Sequence, residues 1–276
     1  MTHNLFRTLL IIFVCFVLGS TESFAQCGAD GGQSCGAQQD FYNNRGVEYA
    51  DTKRDYDEAI REYTKAIELN PQFAEAYYNR GVAYSDKKEY DAAIQDYTKA
   101  IELNPRFAEA YGNRGNSYFK KANYDAAIRD FTKVIELNRQ DARAYVNRGF
   151  AYVNKKEYDA AIRDYTKAIE LNPQNVKAYG NRGLAYFNKE NYDAAIRDYT
   201  KAIGLNPQYA GAYYIRGLGY FGKGEYRLAL VDFNRAIELD RNNPDQYDTR
   251  AEAYRKIGET VLAEADETRA AQLRNK

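Results

Sequence analysis

From residue 39 onward, the chain repeats the same residues every 34 positions, and this period constrains the fold more than any other feature. Five glycines keep this step: Gly81, Gly115, Gly149, Gly183 and Gly217. The array divides into seven repeats, and the first contains one extra residue between Tyr49 and Tyr56. Their bounds are 39–73, 74–107, 108–141, 142–175, 176–209, 210–243 and 244–276. A period of about 20 to 50 residues indicates stacked supersecondary units rather than one globular core.

Each repeat is predicted to form a hairpin of two helices. In the second repeat, Tyr77, Gly81 and Tyr84 are four and three residues apart, which places them on one stripe of a helix. A second helical stripe follows and ends before Pro105, because the residue preceding a proline avoids helical geometry. Gly81 and Ala93 are small, which allows the two helices to approach closely. A single hairpin would expose too much apolar surface, so the hairpins are expected to bury it by stacking.

These residues resemble the tetratricopeptide repeat family. In the second repeat, an aromatic residue at repeat position 4, glycine at 8, tyrosine at 11, alanine at 20 and 27, an aromatic at 24 and proline at 32 match the family pattern. The resemblance covers residues 39–276 and implies an all-α fold, an α-solenoid whose helix-turn-helix hairpins form a right-handed superhelix. It also implies that the first helix of each hairpin lines the concave face and the second helix forms the convex face. Many functions share this fold, so function must be inferred from the surface residues.

The last repeat is predicted to cap the array. Interior repeats carry apolar residues at repeat positions 17, 21 and 24, where the last repeat has Thr260, Glu264 and Glu267. Ala263 and Ala270 are still expected to face inward. A terminal repeat needs a polar outer face for solubility, and these substitutions provide one.

Residues 1–25 have the pattern of a secretory signal peptide. A basic residue precedes the apolar run 9–18, and the small residues Ser23 and Ala25 precede a cleavage site before Gln26. The run is about half the roughly 20 residues that a membrane-spanning helix needs. We expect export to the periplasm or the extracellular space, with no membrane insertion after cleavage. An uncleaved anchor is the alternative.

Residues 26–38 are rich in glycine and polar residues and are predicted to form a flexible lead-in. Cys27 and Cys35 follow the signal and would enter an oxidising compartment, where two thiols tend to form a disulfide. Pairing with other chains and free thiols are the alternatives. A metal site would need more ligands than two thiols without histidine.

The composition excludes most catalytic classes. The single histidine is His3, so a chain cleaved before Gln26 contains none, and Ser-His-Asp, Cys-His and His-metal chemistry are excluded. No glycine-rich phosphate loop occurs, and the repeated carboxylates have surface roles in the pattern. We therefore expect no enzyme, no cofactor and no metal. The 39 basic and 39 acidic residues balance, which argues against binding nucleic acid through charge.

Repeat position 6 carries the first candidate binding residues. On the family arrangement this position faces the groove, and five repeats have an asparagine there: Asn44, Asn79, Asn113, Asn147 and Asn181. An amide side chain offers one acceptor and two donors, enough to pair with both groups of an extended peptide backbone. Some related superhelical repeat proteins hold peptides in this way. The alternative is that these amides bond only to neighbouring helices or water.

Aromatic residues at other groove positions form the second candidate set. They are Tyr78, Phe119, Phe150, Phe187, Tyr214 and Phe221. Aromatics on a concave polar surface indicate contact area for a partner. The alternative is burial between adjacent first helices.

Arginine occupies repeat position 7 throughout: Arg45, Arg80, Arg114, Arg148, Arg182, Arg216 and Arg250. One interpretation is a positive stripe for phosphates or acidic glycans. The other is an ion pair with an aspartate that recurs on the second helix at the same period, for example Asp164 or Asp198. The shared period favours the ion pair.

Three classes of function are compatible with these features to different degrees. The favoured one is a non-catalytic module that binds an extended peptide or partner protein in its groove. The alternative is a passive scaffold or assembly subunit of a cell-envelope complex, using its convex face or its edges. An enzyme is the least favoured. The identity of the partner cannot be read from the sequence.

Overall fold

The computed structural model describes residues 33–275, and the side chains of residues 36–275. This part of the chain consists of fourteen α-helices and one π-helical turn, without strands, which confirms the all-α fold. The helices are α1 (Gln33–Glu48), α2 (Tyr56–Leu69), α3 (Ala74–Asp86), α4 (Tyr90–Leu103), α5 (Ala108–Lys120), α6 (Tyr124–Leu137), α7 (Ala142–Asn154), α8 (Tyr158–Leu171), α9 (Val176–Asn188), α10 (Tyr192–Leu205), α11 (Ala210–Gly222), α12 (Tyr226–Leu239), α13 (Pro244–Lys256) and α14 (Thr260–Arg274). The π-helical turn spans Tyr49–Lys53.

The described residues form two compact units, one ending at Ala122 and the other beginning at Asn123. In the N-terminal unit, α1 packs on α2, α2 on α3, α3 on α4 and α4 on α5. In the C-terminal unit, α6 to α14 follow the same rule, each helix packing on the next along the chain. Helices that contact mainly their sequence neighbours are the defining feature of an α-solenoid, so the predicted fold class is confirmed.

The turn inside each repeat passes through one residue with a left-handed backbone. These residues are Arg54, Lys88, Ala122, Lys156, Glu190, Gly224 and Gly258, with φ between 51° and 85°. In the second repeat, the backbone nitrogens after α3 donate back to the carbonyls of Tyr84 and Ser85 at 2.9 Å. These bonds satisfy carbonyl groups that the end of the helix would leave unpaired.

An asparagine ends most second helices. Asn104 adopts an extended conformation after α4, and its Oδ1 accepts a hydrogen bond from the backbone nitrogen of Arg106 at 3.1 Å. Asn138 makes the same bond to Gln140 at 3.0 Å, although Arg139 replaces the proline there. The asparagine side chain competes with helical hydrogen bonding, so the helix ends without the proline.

Close packing within each hairpin depends on the repeated glycine and alanine. Tyr165 on α8 is fully buried, and a Cβ added to Gly149 on α7 would lie 2.8 Å from its ring. Ala161 on α8 is also fully buried. The expectation that small residues allow the helices to approach is confirmed. The phenylalanines at the same buried position, Phe131 and Phe233, each contribute roughly 1.5–3 kcal/mol of hydrophobic stabilisation.

The lead-in is shorter than predicted, because α1 begins at Gln33 and residues 33–38 are helical. Once the packed part of α1 has formed, each further residue adds a hydrogen bond at little cost, so the helix extends into polar sequence. Residues 1–25 and Cys27 lie outside the described residues. The signal peptide and the Cys27–Cys35 disulfide therefore stay predictions.

The extra residue of the first repeat is accommodated by the π-helical turn. The backbone nitrogen of Asp55 donates to the carbonyl of Tyr49 at 3.0 Å, which closes a wider turn than an α-helix makes. The insertion is therefore placed inside the first hairpin, at the end of its first helix.

In the last repeat, Ala263 and Ala270 are fully buried, while Thr260 and Glu264 are exposed. However, Val261 and Leu262 are 77% and 45% exposed. The polar outer face predicted for this repeat is thus interrupted by two apolar side chains.

Candidate functional site

The position-7 arginines are held between helices. Nε and Nη2 of Arg148 donate to the two carboxylate oxygens of Asp164 at 2.8 Å, and Nη1 donates to Oγ1 of Thr132 at 3.0 Å. Its guanidinium carbon lies 5.8 Å from the ring centre of Tyr145. The hydrogen bonds to Asp164 raise the pKa of Arg148 above its ordinary value, although burial opposes the shift. Arg148 therefore joins α7 to the second helices on either side of it.

Four more arginines make the same bidentate pair: Arg80 with Asp96, Arg182 with Asp198, Arg216 with Asp232 and Arg250 with Asp266. In the first repeat, Arg45 lies 3.4 Å from the buried Glu62 instead. The ion-pair interpretation is confirmed, and the positive stripe is wrong because these guanidiniums are neutralised and mostly buried. The bond to the preceding repeat was not predicted, although a threonine that recurs at the same period could have indicated it.

A second inter-repeat ion pair lies at the turns. Lys155 contacts Asp125 of the preceding repeat at 2.7 Å and Glu157 of its own repeat at 2.7 Å. The hydrogen bond from Lys155 lowers the pKa of Asp125 below its ordinary value. Equivalent pairs join Lys87 to Asp57, Lys121 to Asp91, Lys189 to Asp159 and Lys223 to Asp193. Sequence reasoning did not find these pairs, although both residues keep the 34-residue period.

Two of the position-6 asparagines are used within the protein. Nδ2 of Asn79 donates to Oδ1 of Asn43 at 3.0 Å, and Nδ2 of Asn113 donates to Oη of Tyr78 at 3.0 Å. Asn44 is exposed. Within the N-terminal unit, the alternative of bonding to a neighbouring helix therefore holds for Asn79 and Asn113.

The other two asparagines have free amides. Asn147 on α7 and Asn181 on α9 are half-buried, and neither side chain hydrogen-bonds to another residue of the described chain. The reason is visible for Asn181: repeat position 5 of the preceding repeat holds Val146, which has no polar group. The side chain at repeat position 6 hydrogen-bonds to the side chain at position 5 of the preceding repeat where the latter is polar. Thr249 and Tyr214 are an example, with their hydroxyl oxygens 2.9 Å apart. The sequence analysis did not recognise this dependence.

The candidate aromatics mostly pack on the second helix of their own hairpin. The ring of Tyr78 lies 4.8 Å from that of Phe107 and 5.9 Å from that of Tyr97, and burial raises the pKa of Tyr78. Three others pack on a second-helix ring at 5.2–5.8 Å: Phe187 on Tyr192, Tyr214 on Phe233 and Phe221 on Tyr226. Phe119 is half-buried. The alternative, burial between adjacent first helices, is not what these ring contacts show.

Phe150 differs from the other five, because 42% of its surface is exposed. It lies three residues after Asn147 on α7, so both residues lie on one side of that helix. We call Asn147, Phe150 and Asn181 the asparagine face. Two of its members offer unpaired amides and the third offers apolar area.

Comparison with known sequences identifies the repeats. A sequence model described as tetratricopeptide repeat matches residues 74–107, 108–141, 142–175, 176–209 and 210–243. A second one, described as TPR repeat, matches residues 53–88. The chain belongs to the tetratricopeptide repeat family. A search of curated proteins finds no match.

Solved structures with the same fold include two moderately similar proteins. The crystal structure of MamA protein is 33% identical and covers 64% of this chain and 96% of that chain, with a TM-score of 0.59. YrrB, described as a TPR protein with an unusual peptide-binding site, is 28% identical and covers 65% of this chain and 92% of that chain, with a TM-score of 0.57. A tetratricopeptide repeat protein from Parabacteroides merdae, 21% identical, covers 86% of this chain and 93% of that chain at a TM-score of 0.67, which shows the fold alone.

In the described part of the chain, no cluster of His, Cys, Asp and Glu residues could hold a metal ion. None of the helices described has both the length and the apolar content of a membrane span.

Proposed function

We propose that this tetratricopeptide repeat protein is a non-catalytic module that binds an extended peptide or partner protein across the first helices of its repeats. Repeat solenoids commonly serve as protein-interaction modules, because their stacked helices present extended binding surfaces. The observation that carries the proposal is the pair of unpaired amides on Asn147 and Asn181. The relative YrrB, described as having a peptide-binding site, supports a peptide as the ligand.

The spacing of the two amides suits an extended chain. Asn147 and Asn181 occupy the same position on α7 and α9, which contact each other. Packed helices lie roughly 8–10 Å apart, and an extended peptide advances about 3.3 Å per residue. A peptide crossing both helices would therefore meet one amide about every three residues. Each amide can bond to a backbone N–H and a backbone C=O, so binding would depend little on the peptide sequence.

The test is the double variant Asn147→Ala with Asn181→Ala. Extended peptides are first selected from a displayed library on the unmodified chain, and affinities are then measured by fluorescence anisotropy. At about 1 kcal/mol per hydrogen bond, losing two or more bonds should weaken binding by roughly tenfold to a hundredfold. The matched control is Asn154→Ala with Asn188→Ala, since these amides already bond to carbonyls of their own helices at 2.9 Å. Equal affinities for the two double variants would contradict the amide mechanism.

One observation favours the second candidate function, a scaffold that contacts an apolar partner surface through its second helices. Leu228 and Val231 on α12 are 50% and 65% exposed, where the second to fifth repeats have alanine at the first position and arginine or glutamine at the second. Val261 and Leu262 on α14 are exposed as well. Large apolar side chains exposed together mark interaction sites more often than isolated ones do. Leu228→Ala with Val231→Arg restores the residues of the earlier repeats and should abolish partner capture while peptide affinity stays unchanged.

We also propose that the protein acts outside the cytoplasm, in the periplasm or the extracellular space. The pattern of residues 1–25 supports this proposal. N-terminal sequencing of the protein recovered from envelope fractions of a Gram-negative host should find Gln26 as the first residue. Recovery of the full chain in the cytosol, with residues 1–25 attached, would refute it.

A further inference from the structure

A cavity of about 510 Å³ lies in the N-terminal unit, between α1, the π-helical turn and α3. Its size has a visible cause in the sequence. Repeat position 12 is phenylalanine in the third, fifth and sixth repeats, whereas the first repeat has Ala50, which lines the cavity. The inserted residue widens the helix at the same point, and π-helical turns are frequent at functional sites. This volume falls in the range of about 300–1,000 Å³ that is typical of ligand pockets.

The polar lining of the cavity consists mainly of hydrogen-bond acceptors. The carboxylates of Asp51 and Asp86 line it, and neither forms a hydrogen bond or ion pair with another described residue. Asn79 uses its Nδ2 to donate to Asn43, which leaves its Oδ1 available as an acceptor. Arg54 is the one basic residue in the described lining. Two carboxylates against one guanidinium leave the cavity with an excess negative charge.

A buried hydroxyl also faces this space without a partner. Tyr63 on α2 is only 2% exposed and lines the cavity, yet its Oη has no hydrogen bond within the described chain. In the second repeat, Ser85 interacts with the equivalent tyrosine, Tyr97, and opposes the rise that burial causes in its pKa. The first repeat has Ala50 at the position of Ser85, so Tyr63 lacks that partner. The unpaired hydroxyl can accept a hydrogen bond from a ligand donor in the cavity.

We propose that this cavity binds the side chain of a lysine or arginine in the partner peptide. Val47 and Val82 provide apolar walls for a methylene stem, while Asp51, Asp86 and Tyr63 accept hydrogen bonds from the cationic head. The inference rests on the proposed function, since it assumes that a partner peptide binds on first helices, here those of the N-terminal unit.

The chain itself does not supply this cation from its lead-in. Residues 26–32, between the predicted cleavage site and the described part, contain Asp30 and no lysine or arginine. We therefore assign the basic side chain to another molecule. A peptide residue is favoured over a free amine because the cavity is lined by α1 and α3, two of the first helices on which the proposed function places the peptide.

The test uses N-acetyl-lysine-N-methylamide titrated into the full chain, cleaved before Gln26 and labelled with ¹⁵N, by nuclear magnetic resonance. Saturable shifts are expected at the backbone amides of Asp51, Asn79 and Asp86. N-acetyl-norleucine-N-methylamide has the same stem without the ammonium group, and it should bind at least tenfold more weakly. Equal binding of the two probes, or no shifts at these amides, would overturn the proposal.

The carboxylates are tested by Asp51→Asn with Asp86→Asn, which preserves side-chain shape and should weaken lysine binding at least tenfold. Glu190→Gln with Asp240→Asn removes two carboxylates outside the cavity and should leave binding unchanged. An unchanged affinity in the first variant, with circular dichroism showing an intact fold, would overturn the proposal.

Further probes separate this inference from the proposed function. The arginine analogue of the probe should bind at the same amides, and cadaverine should bind more weakly than the lysine probe. Tighter binding of cadaverine would mean that the cavity takes free amines, and the peptide assignment would be wrong. Library peptides that shift the amides of Asp51, Asn79 and Asp86 without enrichment of lysine or arginine would refute the cavity proposal alone. If the lysine probe binds at the cavity but the Asn147→Ala and Asn181→Ala changes leave peptide affinity unchanged, the amide mechanism would instead be refuted.

Discussion

The pair formed by Arg148 and Asp164 allows a quantitative test of what holds the repeats together. The two side chains are only 17% and 8% exposed, and two hydrogen bonds of 2.8 Å join them. We consider Asp164→Ala, Arg148→Met and the double variant. Methionine keeps an apolar stem against Tyr145 but removes the charge. Thr132 stays paired in every variant, because its hydroxyl also donates to the carbonyl of Ile128 at 2.7 Å.

The expected magnitudes follow from burial. Removing one partner of a buried ion pair leaves an uncompensated charge and costs about 3–5 kcal/mol. Because some solvent reaches Arg148, we expect about 3 kcal/mol for Asp164→Ala and about 2–3 kcal/mol for Arg148→Met. The double variant leaves no unpaired charge and should lose only about 2–3 kcal/mol in total. The coupling energy is then about 2–3 kcal/mol, near the upper end for residues in direct contact.

The assay is urea unfolding followed by far-ultraviolet circular dichroism for all four proteins. The control cycle uses Lys167 and Glu170 on the same helix, whose charged atoms are 3.0 Å apart but whose side chains are 46% and 57% exposed. Water screens that pair, so its coupling should be much smaller. Additive losses for Arg148 and Asp164 would show that the pair does not join the helices, and the reasoning would be wrong.

Three further predictions concern the helix packing, the turns and the buried tyrosines. Gly149→Ala should destabilise by about 1–3 kcal/mol in urea unfolding, because its methyl group would overlap the ring of Tyr165. A Cβ added to Gly204 would have no atom within 4 Å, so Gly204→Ala should stabilise the protein by about 0.5–1 kcal/mol. Equal effects of Gly149→Ala and Gly204→Ala would contradict the packing argument. Gly224→Ala should destabilise by about 1–2 kcal/mol because φ is 76°, and an unchanged midpoint would refute this. Burial raises the pKa of Tyr165 and Tyr199 above its ordinary value of about 10 in the folded state. The free energy of unfolding, measured in urea at a series of pH values, should therefore be highest below about pH 10 and decrease above it. A free energy of unfolding that does not change above about pH 10 would contradict the burial argument.

The periodic part of the structure could be predicted from the sequence. Gly149, Ala161 and Tyr165 recur with the 34-residue step, and their sizes are complementary, so the hairpin and its close approach follow from local rules. The pairing of Arg148 with Asp164 could also be inferred, because the two residues are always 16 positions apart. Interactions that repeat with the chain are visible in the chain, since every repeat supplies another instance of the same pair.

The availability of the asparagines could not be predicted in this way. Asn113 and Asn181 occupy the same repeat position, yet only Asn113 has a hydrogen-bond partner, Tyr78. The difference depends on the residue that the preceding repeat places beside each amide, and that neighbour varies along the array. Asn181 meets Val146, so its amide remains free.

The sequence by itself thus determined the repeat, the hairpins and the pairs that keep the repeat period. Only the tertiary structure decided which amides remain free and where a cavity opens. One inserted residue can be accommodated by a loop or by a wider helical turn, and in this chain it is the turn, with Tyr49 and Ala50 packed against the cluster that contains Tyr63. The consequences of that choice, an unpaired hydroxyl beside two free carboxylates, arise from residues on different helices, whose proximity no local pattern encodes.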